Sequence, residues 1–152
     1  MNNFRFAVTL FLCVLTLSLL ASAHSDNGKQ TKKFTVSKGG TLDVSVHLGT
    51  IRVKTWDKDE VVVRVSADDM DDEDEEYSGV RIRQKENTIR VTTSQNYQYW
   101  GEVDIEVSIP VQFNVQLETS AGDIMIDGRV IGRVEVQTSG GNISTGACEG
   151  KA

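Results

Sequence analysis

The chain reads as an all-β, single-domain β-solenoid, β-helix or β-roll-like, exported behind a cleaved signal peptide. Three observations predict this. Leu117-Glu118-Thr119-Ser120-Ala121-Gly122-Asp123-Ile124 recurs 19 residues later as Val136-Gln137-Thr138-Ser139-Gly140-Gly141-Asn142-Ile143. Apolar and polar residues alternate with period 2 after Ala23, and no stretch there shows a convincing 3.6-residue apolar period. The N-terminus is apolar and ends in a small-x-small site. A fixed repeat of this size is the signature of stacked coils, each lacking a core until a neighbour covers it.

Arg5 supplies the positive start of the leader, and Phe6 to Leu20 is apolar apart from Thr9, Thr16 and Ser18. Ala21-Ser22-Ala23 predicts cleavage between Ala23 and His24. The run is short for a retained membrane anchor, and the polar segment Asp26-Asn27-Gly28-Lys29-Gln30 follows at once. Cys13 lies in the apolar run behind Leu-Phe-Leu, which does not match a lipid-attachment site.

Removing residues 1–23 takes away only Arg5 among the charged side chains, leaving 15 basic and 22 acidic ones and a net charge of −7. An acidic chain gains nothing from counterion release on nucleic acid and is repelled by anionic membranes, so neither is an expected partner. Cys148 is the one cysteine left, so stability must come from packing rather than from an internal disulfide.

Residues 24–33 read as a polar linker and 34–152 as the repeat domain. Leu42, Val44, Val46 and Leu48 alternate with polar residues, and Ile51 and Val53 follow Gly49. Val61, Val63 and Val65 form the next run, then Val80 and Ile82, then Ile89 and Val91. Val103 to Ile109 and Val111 to Leu117 keep one parity across Pro110, which lacks a ladder donor and so marks an edge, bulge or strand boundary. Ile124 and Ile126, Val134 and Val136, and Ile143 complete about ten or eleven strands. Lys38-Gly39-Gly40 and Leu48-Gly49-Thr50 read as turns, and Trp56-Asp57-Lys58-Asp59 and Lys85-Glu86-Asn87 as hairpin connections. Gly49-Thr50-Ile51-Arg52-Val53 matches the corner Gly122-Asp123-Ile124-Met125-Ile126, with Val44 in the place of Leu117, so an early coil belongs to the same stack. The chain stops a few residues after its last corner, with no room for a polar cap, which suggests either a C-terminally incomplete domain or an end covered by a partner.

Gly39-Gly40-Thr41-Leu42, Gly49-Thr50-Ile51-Arg52-Val53, Trp56-Asp57 and the run from Val61 resemble the start of the bacterial putative-adhesin β-strand-repeat family, also called the toastrack domain. Val107-Ser108-Ile109-Pro110 and Thr119 to Ile124 resemble its centre. The resemblance runs from Phe34 to Ala152. It implies an exported or envelope-exposed β-solenoid of unassigned function, some relatives being linked to envelope stress systems, and it brings no catalytic residues. This chain departs from longer members by stopping after two regular repeats.

Site candidates are few. Residues 68–76 hold eight acids in nine positions, a carboxylate density that suits calcium. The run lacks the glycine and the ligand spacing of a calcium loop, and a solvated connection is the favoured reading. Tyr97, Tyr99 and Trp100 are candidate contacts for a glycan or protein partner, with packing at a hairpin end as the alternative. Trp56 reads as a strand-end core residue. His47 alternates with Val46 and Leu48 and should face solvent, so neither a zinc set nor a Ser-His-Asp set is credible. Asn142-Ile143-Ser144 matches a glycosylation sequon but reads better as a repeat corner. Cys148 reads as a small buried residue, with cross-linking as the alternative.

Asp123, Asp127, Arg129 and Arg133 lie close together, as acids and bases do in some β-solenoid polysaccharide lyases and hydrolases. Asp123 aligns with Asn142 and Thr50, which fits a corner better than catalysis. The expectation is therefore a non-enzymatic envelope scaffold or binding module without cofactors, located in the periplasm, at the cell surface or outside the cell. A glycan-binding adhesin and a carbohydrate-active β-helix enzyme are the alternatives.

Overall fold

Branched side chains fit the pleat of extended backbone, and period-2 alternation lets each strand bury one face. The computed structural model describes residues 29–67, 79–93 and 102–150, which form eleven strands and, among the described residues, no helix. The strands are β1 (Lys29–Thr35), β2 (Gly40–Leu48), β3 (Ile51–Trp56), β4 (Glu60–Ala67), β5 (Val80–Lys85) and β6 (Thr88–Thr93). They continue as β7 (Val103–Pro110), β8 (Phe113–Ala121), β9 (Ile124–Ile131), β10 (Val134–Thr138) and β11 (Ile143–Glu149).

Two mixed sheets result. The six-stranded sheet has the order β1-β4-β7-β3-β9-β11, and the five-stranded sheet β10-β8-β2-β6-β5. Their inward side chains merge into one cluster that includes Leu42, Ile51, Val63, Ile89, Phe113 and Ile124. Gly40 makes room for the largest of these, since a Cβ there would sit 2.4 Å from the Phe113 ring.

The repeat is realised as register. Val134 pairs with Val115 and Val136 with Leu117 in the parallel β8–β10 ladder, and Ile143 pairs with Ile124 in the parallel β9–β11 ladder. The earlier copy also falls into place, with Val44 beside Leu117, Ile51 beside Ile124 and Val53 beside Ile126. The segments β2–β3, β8–β9 and β10–β11 thus form three arches, each stepping from the five-stranded to the six-stranded sheet. The 19-residue unit does not organise the whole molecule. Antiparallel strands complete the far side, β4 and β1 beyond β7, and β5 beyond β6.

Three expectations are corrected here. Residues 29–33, read as linker, belong to β1, which pairs with β4 from Lys29↔Ser66 to Thr35↔Glu60. The turn at 56–59 does not close a hairpin, because β3 and β4 lie on opposite sides of β7. Its Trp56 is half-buried rather than core, donating Nε1–H to the Glu60 carbonyl at 2.8 Å with Lys58 Nζ 4.9 Å from its ring centre. The turn at Glu86-Asn87 does close a hairpin, with Glu86 in the left-handed region at φ 53°. Pro110 is the last residue of β7, a strand boundary where no ladder donor is required.

Candidate binding surface

The residues 97, 99 and 100 proposed as partner contacts, the acidic run 68–76 and the cleavage site Ala23–His24 lie outside the described residues. The surface that the structure does define is the end of the stack formed by β10 and β11, the outermost strands of their sheets on the same side.

Corner chemistry explains how coils recognise one another. Gly122 has φ +139°, and a Cβ on it would lie 2.0 Å from the Gly49 carbonyl oxygen, so only glycine permits the approach. Gly141 repeats this one coil on, at φ +148° and 2.1 Å from the Gly122 oxygen. The Thr119 hydroxyl donates to the Gly49 carbonyl at 3.3 Å, and the Thr138 hydroxyl to the Gly122 carbonyl at 3.1 Å. Gly49 N–H donates to the Ala121 carbonyl and Gly122 N–H to the Gly140 carbonyl, both at 2.8 Å. Asp123 Oδ1 accepts the Asn142 backbone N–H at 2.8 Å. Each coil therefore offers its successor an acceptor column, a donor column and a glycine-sized gap.

Among the described residues the last pair of the series is β10–β11. Ile124 is fully buried, whereas its repeat mate Ile143 is 47% exposed, the one large hydrophobic residue so exposed among those described. Val115 and Leu117 are buried, whereas Val134 and Val136 are half-buried. Every residue of β11 is exposed. Cys148 pairs in register with the buried Val130 but is itself exposed, which corrects the expectation of a buried thiol. It stands on a core-facing column that no described residue covers. Neither β10 nor β11 contains a Lys, Arg or Pro, and their edge charges are the single acids Glu135 and Glu149.

The opposite end is blunted. Its outer strands β1 and β5 carry Lys29, Lys32, Lys33, Arg81, Arg83 and Lys85. Gln84 Nε2 donates to the Thr35 carbonyl at 2.9 Å, and Asn87 exchanges two hydrogen bonds with the Ser37 backbone at 2.8 and 3.0 Å. These contacts tie the hairpin of one sheet to the strand exit of the other.

Three of the four acids and bases considered for catalysis have side-chain partners of their own, and Asp127 is exposed on β9. Asp123 holds the Asn142 corner, Arg129 pairs with Glu149 at 2.5 Å, and Arg133 pairs with Glu135. The hydrogen bond and charge of Glu149 raise the Arg129 pKa further, so the guanidinium stays charged at any accessible pH. His47 is exposed, as its parity predicts. Among the described residues no group of three or more His, Cys, Asp or Glu side chains could hold a metal ion. No helix among them is long and apolar enough to cross a membrane.

No family model and no curated protein matches the chain. Solved structures do. A "putative adhesin" from Bacteroides fragilis superposes with TM-score 0.57 at 12% identity, over 83% of this chain and 56% of that one. A "putative cell adhesion protein" from Clostridium sporogenes gives TM-score 0.49 at 8% identity, over 74% of this chain and 58% of that one. A "putative adhesin" from Parabacteroides merdae gives 0.44 at 8% identity, over 74% and 45%. The likeness of fold rests on the first of these. This chain spans little more than half the length of the first two neighbours, 56% and 58%.

Proposed function

We propose that the chain is an exported, non-enzymatic binding module of the cell envelope, and that the β10–β11 end is the surface that receives a protein partner. The observation that carries this reading is the contrast between Ile124, fully buried, and Ile143, 47% exposed at the same repeat position. A core column that no described residue covers, beside two strand edges without Lys, Arg or Pro, suits β-strand addition, in which backbone hydrogen bonds supply affinity and alternate side chains supply selectivity. Export rests on the leader, cleaved between Ala23 and His24, and places the module in the periplasm, at the surface or outside the cell. The parallel arches support a β-solenoid character for the C-terminal half and, with the quoted motifs, membership of the toastrack family. The adhesin names of the structural neighbours support the same class of role. Asp123, Arg129 and Arg133 engaged in corner and surface pairs speak against a lyase or hydrolase built on them.

Chemical cross-linking in intact source cells, with wild type beside Ile143→Lys, tests the proposal. A discrete protein adduct of the wild type that the variant loses supports it. Adducts unchanged by Ile143→Lys, or capture of glycan material alone, overturn it and favour the adhesin reading through Tyr97, Tyr99 and Trp100.

A further inference from the structure

The outward face of the five-stranded sheet is polarised in charge. β5 turns Ile82 into the core, and the period of 2 places Arg81, Arg83 and Lys85 on the other face, all three exposed. Arg90 of β6 joins them, because Arg83 pairs directly with Arg90 across the antiparallel β5–β6 ladder. Like charges set directly opposite each other weaken a sheet unless something neutralises them. Asp43 does so for Arg90, at 2.8 Å. The side chains of Arg81, Arg83 and Lys85 have no ion-pair or hydrogen-bond partner among the described residues. Blunting an edge accounts for cations on β5 but not for Arg90, which stands on an inner strand. Beside this strip the face becomes neutral and rich in hydroxyls. Lys85 pairs with Thr88 and Thr88 with Thr41, while Arg81 pairs with Thr92 and Thr92 with Ser45. Asp43 and, in the turn, Glu86 are the acids set beside the strip, and Glu118 and Glu135 lie farther off on β8 and β10.

From this arrangement we infer that the β5–β6 face binds an acidic polysaccharide, its carboxylates on Arg81, Arg83 and Lys85 and its hydroxyls on the threonine and serine rows beside them. A guanidinium fork takes a carboxylate through two parallel hydrogen bonds, and a hydroxyl side chain both gives and accepts with a sugar hydroxyl. Alternate residues of a strand repeat every ~6.8 Å, so Arg81 to Lys85 spans ~14 Å, a length that suits a chain of anions better than a single ion. The complementarity is local. At physiological salt a charge is felt over about 8 Å, so a ligand on the strip meets these cations rather than the net negative charge of the whole chain. The one aromatic residue in these five strands, Phe113, is buried, so the bases of a nucleic acid would find nothing here to stack on. The outward positions of β5 and β6 are charged or hydroxyl-bearing and offer a lipid surface no apolar anchor. This site is separate from the β10–β11 surface, and each stands or falls without the other.

The probe is a fluorescently labelled oligogalacturonate, a chain of uronic acids, added to the full chain after leader removal, with neutral dextran beside it. Fluorescence anisotropy at roughly 50 mM salt should show saturable binding of the acidic probe and none of dextran. Arg81→Gln, Arg83→Gln and Lys85→Gln together should weaken it about tenfold or more. Lys54→Gln, Arg64→Gln and Arg129→Gln together remove the same charge from the six-stranded sheet and should change it less than about twofold. All six side chains are exposed, and unchanged thermal melting shows that both triple variants remain folded. Equal losses in the two triple variants overturn the inference, because net charge rather than the strip would then set the affinity. No saturation by roughly 1 mM, or equal binding of dextran, also overturns it. Tighter binding of a single-stranded oligonucleotide or of phosphatidylglycerol vesicles overturns it by making another polyanion the occupant. Binding that emerges only when the acids of 68–76 are replaced by Ser overturns it by making that run the occupant. Ile143→Lys should leave the affinity unchanged, and a loss there would move the site to the β10–β11 end and overturn the inference. Polysaccharide held on the strip in the cell has no fixed mass and adds no discrete protein adduct, so the two surfaces are read separately.

Discussion

The two ends of this stack are built from the same kind of strand and behave as opposites. At the β1/β5 end the outer strands carry six Lys and Arg residues, and Gln84 and Asn87 tie the sheets together. At the β10/β11 end the outer strands carry no basic residue, and β11 is exposed along its whole length. Charge on an edge strand costs little there and makes pairing with a foreign strand unfavourable. The β10 and β11 edges carry only the acids Glu135 and Glu149, so the two described ends differ in the sign and density of edge charge. The lesson is that a repeat residue has no fixed energetic value: its worth depends on whether a following coil covers it.

The sharpest way to break the comparison is to place a charge at matched positions. Ile124→Lys buries an unpaired ammonium and should cost more than about 4 kcal/mol, unfolding a marginal domain. Ile143→Lys should change stability by no more than about 0.5 kcal/mol. Urea unfolding of the two variants measures both values. A large loss from Ile143→Lys would mean that the end is covered in solution.

Next in size is the corner. Gly122→Val forces a branched residue to φ +139° against the Gly49 carbonyl and should cost about 3 kcal/mol or more. Gly140→Ala, whose Cβ would meet nothing closer than 3.9 Å, should stay within about 0.5 kcal/mol. Thermal melting separates them, and equal losses would remove the stacked-corner account.

The hydroxyl columns follow. Thr119→Val removes a buried donor to the Gly49 carbonyl and should cost about 1 kcal/mol. The same change at the half-buried Thr138 should cost less, since water reaches the freed carbonyl more easily. Smallest is Arg129→Ala, which breaks an exposed pair with Glu149 and should leave the melting temperature unchanged at physiological salt.

Much of the fold was legible in the sequence because period 2 reports directly which face of a strand is apolar. The 19-residue copy and the match of Gly49-Thr50-Ile51 to Gly122-Asp123-Ile124 became register pairs residue for residue. Stacking order was not legible. Placing β7 between β3 and β4 is a long-range choice, and the turn residues at 56–59 look the same whether or not a hairpin closes. The strand at Lys29–Thr35 was hidden because its polar composition suits a blunted edge, which alternation does not reveal. The candidate surface was legible only in outline. Alternation marks Val136 and Ile143 as core-facing but does not say that their column is exposed, and it places Cys148 on the other face, because the register shift between Thr145 and Ala147 is what brings Cys148 beside Val130. Cys148 reads as buried from the usual behaviour of a small thiol side chain, and the structure exposes it.

Site-specific photo-cross-linking in the source cell tests the central claim most directly, with the reactive group placed at Gln137 on β10 in one variant and at Arg83 on β5 in the other. Both positions are exposed, so neither replacement disturbs the core. The account predicts a discrete adduct from position 137 that disappears when Ile143→Lys is added, and none from position 83. Adducts from position 83 alone, or equal adducts from both ends, would contradict it.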